Sequence, residues 1–343
     1  MPANAGTPVS AGSWKRQHHL ASGIATITTL AVVCAAFMPR TGIALAENSR
    51  AIVAATNTVS ARSSRIDSAR RTASLARFVL GESLLGRSKK VRVRFVSRAK
   101  SMSLPILREL FGDSAATSPG LYATHTDSSS DLFHFITLRP FADKIAGRIG
   151  SYNIGFFPSE RRAPRSDAYN NPDGFIEVSA ANQFTRVSEH FTLSDFLTHD
   201  QLPVWPKYLV LKEPLLDKLE LVIAELGRMG IPVGQLHVMS GFRTPQYNQP
   251  GVGAGGRAQD SRHQFGDAAD VYVVNGTRDW MSDLNHDGKV DSRDAKILAT
   301  AAEHVELAHP ELVGGIGIYR ATSAHGPFVH IDVRGVRARW SSL

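Results

Sequence analysis

Two histidines and one aspartate stand where side chains can hold a metal. His263 lies in Ser261-Arg262-His263-Gln264-Phe265-Gly266-Asp267-Ala268-Ala269-Asp270, a run that ends inside an apolar stretch. Far downstream, Val329-His330-Ile331-Asp332 again sets polar residues among β-branched neighbours. A strand sends successive side chains to opposite faces, so Ala268, Asp270 and Tyr272 share a face, as do His330 and Asp332. Small Ala268 leaves room beside Asp270, and a histidine facing a core needs a strong partner. Two imidazoles and a carboxylate around zinc, with the fourth position open to water, make a catalytic set rather than a structural one. The competing reading is a hydrogen-bonded His–Asp group near strand ends with no metal, and the spacing alone leaves both open.

A second run carries different chemistry. The stretch Asp283-Leu284-Asn285-His286-Asp287-Gly288-Lys289-Val290-Asp291-Ser292-Arg293-Asp294 follows the calcium-loop template. Its oxygen ligands would be Asp283, Asn285, Asp287, Asp291 and Asp294, with Lys289 giving only its backbone carbonyl. Gly288 supplies the sharp turn, and Val290 is expected to point into the core. Asp294 stands where glutamate is usual and reaches less far for bidentate binding, which resembles the dockerin-type loop. The alternative is an acidic, solvated turn. No second such loop pairs with it, so a structural calcium clip beside the cleft is expected rather than a sensor.

These residues need elements to position them. Leu215, Leu219, Val222 and Leu226 mark an amphipathic helix over about 213–228, stopped by Gly230 and Pro232. Ala295–Leu307 reads as another helix, and Phe191–Leu197 as a short capped turn. Leu236–Ser240, Ala268–Val274, Gly315–Tyr319 and Phe328–Val333 read as strands. The expected fold class over 186–343 is α+β, a small antiparallel sheet with helices packed on one side. Residues 91–185 read as a small β-rich unit of unknown role, from period-two runs at Val91–Phe95 and Leu132–Leu138 and turn signals such as Asn171-Pro172-Asp173-Gly174. Residues 161–173 look like an exposed connector. His190 and His237 read as packed or capping residues.

The chain has 343 residues, 43% apolar and 20% charged, enough for a packed core. Its single cysteine, Cys34, excludes a disulfide scaffold and a cysteine-ligated zinc finger. The net charge of +8 is unevenly placed: residues 1–46 hold +3, residues 47–110 hold +10, and residues 111–343 hold −5. A basic nucleic-acid-reading domain therefore fits the globular part poorly, and no nucleic-acid partner is expected there. Residues 20–38 carry no charge, follow Lys15 and Arg16, and precede Ala44-Leu45-Ala46, as a signal peptide does; an uncleaved membrane anchor is the alternative. The Ala/Ser/Arg-rich 47–90 reads as a linker. The expected destination is the bacterial periplasm or cell envelope.

Three separated motifs carry a family resemblance. Ser240-Gly241-Phe242-Arg243-Thr244-Pro245-Gln246-Tyr247-Asn248, the His263–Asp270 run and the terminal His330-Ile331-Asp332-Val333-Arg334-Gly335-Val336-Arg337-Ala338-Arg339-Trp340 together resemble the zinc D-Ala-D-Ala carboxypeptidase and murein endopeptidase family, the LAS-type metallopeptidases. The murein endopeptidase K branch is the nearest likeness, over about residues 186–343. The family pattern SxHxxGxAxD is met at Ser261, His263, Gly266, Ala268 and Asp270. The resemblance implies His263, Asp270 and His330 as ligands of a catalytic zinc, and Arg243 near the scissile carbonyl. It implies peptidoglycan stem peptides or their cross-links as substrate.

The proton acceptor departs from the wider family, whose relatives often place an acid three residues before the last histidine; here that residue is Pro327. Asp332, on the face of His330, could take the proton or orient a ligand, and His325 in the preceding loop is the other candidate. The missing acid also supports a rival from another class, a non-catalytic cell-wall binding module that keeps the metal frame as a scaffold.

Overall fold

Period-two alternation becomes three strands at the start of the described chain: β1 (Val91–Val96), β2 (Gly120–His125) and β3 (Leu132–Thr137), in the order β1-β3-β2. The computed structural model describes residues 91–342 apart from 104–106, 109–110, 126–131 and 254–255. The expected signal or anchor at 1–46 and the linker at 47–90 lie outside the described residues. Among the described residues, no helix is long and apolar enough to cross a membrane.

A second small sheet follows, built from β4 (Arg139–Pro140), β5 (Gly174–Val178) and β6 (Lys207–Leu209), all antiparallel. It pairs Ile176 with Leu209 across the boundary expected at residue 186. Phe175, Ile176 and Val178 share one buried core with Leu209, Leu215 and Leu219. The stretches expected as a β-rich unit and a following domain thus share a sheet and a core. The charged connector 161–173 concealed a core that runs on either side of it.

Helix α1 (Glu213–Arg228) buries its predicted stripe, with Leu215, Leu219, Val222 and Leu226 all fully enclosed. Pro214 sits in its first turn, where its missing N–H costs nothing. Five strands then form the central sheet with α2 (Ser292–Ala308) between them in sequence: β7 (Gln235–Ser240), β8 (Ala268–Val274), β9 (Gly315–Tyr319), β10 (Phe328–Asp332) and β11 (Ala338–Ser342). Their spatial order is β11-β9-β10-β8-β7. Neighbours run antiparallel except β9 and β11, which are parallel.

The protein is thus a mixed α/β fold with small sheets and few helices. Ala269, Val271, Ile316, Val329 and Ile331 join the core formed with Leu215, Leu219, Leu298 and Ala302 of the two helices. Strand alternation then places Asp270, His330 and Asp332 on the opposite face. The helices fill one side of the sheet, and the polar residues of the sequence analysis occupy the other.

Candidate metal centre

His263 is placed by a turn, not by a strand. Arg262–Phe265 forms a 3-10 turn that ends on Gly266 in a left-handed conformation (φ 69°). A Cβ at Gly266 would come within 2.7 Å of the Leu211 amide nitrogen, so both backbone and space require glycine. Behind the turn, Asp267 is buried and takes Arg262 through Nε at 3.0 Å and through Nη2, while Lys212 Nζ reaches it at 3.2 Å. The turn is therefore stapled on both sides.

Asp270 and His330 are direct cross-strand partners on β8 and β10, and Ala268 stands opposite Asp332. On its other edge Asp270 faces Ser240, and the β7–β8 register shifts beside it. A bulge of this kind re-aims a side chain. The three predicted ligands come together: His263 Nε2 lies 3.2 Å from Asp270 Oδ1 and 3.1 Å from His330 Nδ1, and His330 Nδ1 lies 3.0 Å from Asp270 Oδ1. All three residues are buried, at 2%, 5% and 6% exposure.

Each imidazole is aimed by its second nitrogen. The carbonyl of Gly241 can only accept, so His263 Nδ1 carries a proton toward it at 2.7 Å and Nε2 keeps its lone pair. His330 donates from Nε2 to Asp332 Oδ2 at 3.0 Å, leaving Nδ1 for the centre. Asp332 is fully buried, and its Oδ1 also accepts the Gly315 amide at 2.8 Å and the Arg334 amide at 3.0 Å. Arg334 Nε sits 2.9 Å from both oxygens. Asp332 is thus an orienting carboxylate turned beneath His330. Arg243 likewise donates through Nη2 to Asp270 Oδ2 and through Nε to Ser240 Oγ at 2.8 Å.

The electrostatics follow from burial and pairing. Burial pushes the His263 pKa down despite the pull of Asp270. Burial opposes charge on His330 as well, yet its hydrogen bonds with Asp270 and Asp332 outweigh that and raise its pKa. Asp270 and Asp332 resist ionisation through burial, but histidine and arginine partners hold both well below the usual carboxylate range. His330 stands between the carboxylates of Asp270 and Asp332, a position that favours its charged form and suits a cation.

The donor set fits a metal ion. The three groups offer ligand atoms lying within 4.8 Å of one another, and a buried His–Asp–His group of this kind could hold one. Tetrahedral zinc with bonds of about 2.0–2.1 Å sets its ligand atoms about 3.3 Å apart, close to the separations found. Imidazole and carboxylate are also the donors that a borderline-soft ion accepts.

The second predicted loop is arranged differently. Asp294 is fully buried, but its oxygens accept the amides of Leu284 at 2.8 Å, Asn285 at 3.3 Å and Asp291 at 2.8 Å. Asn285 Oδ1 accepts the Asp287 amide at 2.9 Å, and Asp287 Oδ1 accepts the Lys289 amide at 3.0 Å. Arg293 pairs with Asp287 Oδ2 at 2.6 Å and with Asp291 Oδ2 at 2.8 Å. Asp283 Oδ2 accepts the Gly288 amide at 2.8 Å, while its buried Oδ1 has no partner. Among the described residues, these carboxylates do not form a second converging group of the His263 kind. Val290, expected in the core, is 37% exposed; the loop leans on Leu284 instead, which is buried.

His325 is half-buried, donates from Nδ1 to the Gly326 carbonyl at 2.8 Å, and packs edge-on to Phe328 at 5.0 Å. Sequence reasoning missed Gly241, Arg334 and Trp340, whose ring lies 5.2 Å from that of His330. One signal was present: glycines two apart on β9, Gly315 and Gly317, mark a close approach. A Cβ on Gly317 would come within 2.7 Å of Trp340 Cζ2. Comparison with protein-family models, with curated proteins and with solved structures finds no match to this chain.

Proposed function

We propose that the protein is an exported zinc-dependent peptidase that hydrolyses amide bonds of peptidoglycan stem peptides or their cross-links. One observation carries the reading: His263 Nε2, Asp270 Oδ1 and His330 Nδ1 converge within 3.2 Å, and each is aimed by a separate partner. Such orienting contacts accompany metal-bound histidines and distinguish a ligand set from a chance cluster. The substrate class rests on the resemblance to D-Ala-D-Ala carboxypeptidases and murein endopeptidases. A zinc ion held there would polarise the amide carbonyl and lower the pKa of its water toward neutrality.

The chain's own groups divide the remaining work. Gly241 and Asp332 fix the two imidazoles, and Arg243 fixes Asp270. Arg243 keeps further N–H groups for an anionic substrate or a developing oxyanion. Asp332 is engaged with His330, which leaves His325, its Nδ1 donating to the Gly326 carbonyl, as the remaining candidate for the proton acceptor. The purified full chain should release fragments from cross-linked muropeptides, stop on chelation and resume on adding zinc. A zinc-loaded protein that cleaves nothing rejects the proposal.

A non-catalytic wall-binding module has one observation in its favour: neither Pro327 nor buried Asp332 offers a carboxylate to the open side. Retention on cell walls without turnover, unchanged in Asp332→Ala, is the result that would favour it. Calcium at Asp283–Asp294 is supported by the orphaned Oδ1 of Asp283, and it requires Arg293 to leave Asp287 and Asp291.

A further inference from the structure

Tyr319 stands two residues beyond Gly317, the cross-strand partner of His330, so its side chain rises on the same face as the three ligands. Its ring is clamped against Phe328, stacked at 4.5 Å with 7° between planes. Its hydroxyl accepts the indole N–H of Trp340 at 2.9 Å, and Trp340 in turn lies beside His330. That bond occupies a lone pair and turns the phenolic hydrogen away from the indole. Among the described residues, no acceptor takes that hydrogen.

The phenol also lies within electrostatic reach of the centre. Burial raises its pKa above the ordinary 10, and the charges of Asp270 and Arg243 act on it in opposite senses. It therefore keeps its proton at neutral pH and remains a donor. The other donors are partly engaged: Arg243 already serves Asp270 and Ser240, and Arg334 serves Asp332.

We infer that Tyr319 is a catalytic residue of the proposed hydrolysis, donating its O–H as a hydrogen bond to the scissile carbonyl oxygen while negative charge gathers there. No proton is transferred in this contact; the phenol stays protonated before and after. Trp340 is a positioning residue that sets the hydroxyl's direction. The inference rests on the peptidase reading and adds a residue that neither the metal set nor the family resemblance supplies. A donor fixed in advance by a stacked ring and a second hydrogen bond needs no reorganisation when charge develops, which is what makes such contacts effective.

Tyr319→Phe keeps the stacked ring and removes only the hydroxyl. Full-length wild type and variant would be compared on a cross-linked muropeptide, by zinc content, and by calorimetric binding of a phosphinate dipeptide that mimics the charged oxygens. The expected result is kcat lower by about 100-fold, KM within about threefold, zinc content unchanged, and phosphinate binding weakened by about as much as kcat. Wild-type turnover with a variant kcat within about threefold overturns the role of Tyr319 while leaving the peptidase reading intact. Loss of zinc from the variant also overturns it, because the phenol would then support the metal set and not the reacting oxygen. A zinc-loaded wild type that neither cleaves muropeptide nor binds the phosphinate overturns the peptidase reading, and this inference with it.

Discussion

Asp332 shows how one buried carboxylate can serve a centre that it does not enter. One oxygen accepts from the imidazole of His330, and the other from two backbone amides, while Arg334 neutralises both. Asp332→Asn is expected to weaken zinc binding by about 10–100-fold, read by competition with a chelator of known affinity. An unchanged affinity would remove the orienting role. The two histidines make opposite predictions with pH. His330 is raised in the folded state, so its contribution to stability is present below its unfolded pKa of about 6.5 and lost as pH rises through the folded value. His263 is lowered, so acid below about pH 6.5 costs stability, because the unfolded chain takes the proton that the folded chain refuses. The melting temperature of the metal-free protein should therefore fall as pH rises through the folded value of His330, and added zinc should abolish that fall. Parallel profiles with and without zinc would contradict this.

The turn and the strands that carry these residues differ in how much the sequence disclosed. Ala268–Val274 and Gly315–Tyr319 are found at the expected bounds, because alternation and β-branched residues over five or more positions leave little ambiguity. Lys207–Leu209 was missed because three residues after a proline cannot show a period, and Ala338–Ser342 because Arg339, Trp340 and two serines do not look apolar. Asp270 and His330 were legible because each stood out against an apolar run, and His263 because of the SxHxxGxAxD pattern that it shares with Asp270. The shell that orients them was not: a backbone carbonyl such as that of Gly241 has no sequence signature, and Arg334 lies beyond the end of its strand. Gly266 is the hinge of the arrangement. Gly266→Ala combines a left-handed backbone with a clash against Leu211 and should destabilise the fold by about 1–3 kcal/mol and reduce zinc occupancy, followed by thermal melting and metal analysis. Wild-type values for both would show that the turn can relax. At the Asp283–Asp294 loop, Arg293→Ala should strengthen calcium binding by freeing Asp287 and Asp291, seen as a larger calcium-induced rise in melting temperature. No rise in either protein would mark the loop as an arginine-closed turn.

Across the whole molecule, the site depends on parts far outside the likeness that suggested it. β5 and β6 join residues on both sides of position 186, Arg94 of β1 pairs with Glu213 of α1, and Arg262 Nη1 reaches the Ala168 carbonyl at 2.8 Å. Behind the sheet, fully buried Lys218 of α1 binds the Asp332 carbonyl at 2.7 Å and Glu306 of α2 at 2.6 Å, tying both helices to the strand that carries His330. A chain beginning at residue 186 should therefore lack the cooperative melt of the full protein, because Phe175 and Ile176 are removed from its core. An equal melting temperature would restore the boundary. The central claim is that three side chains from a turn and two strands share one zinc. X-ray absorption at the zinc edge on the loaded full chain, with His263→Ala alongside, tests it most directly. The expected signature is two imidazole nitrogens and one carboxylate oxygen at about 2.0–2.2 Å, lost in the variant. Zinc held identically by both proteins would place the metal elsewhere and contradict the account.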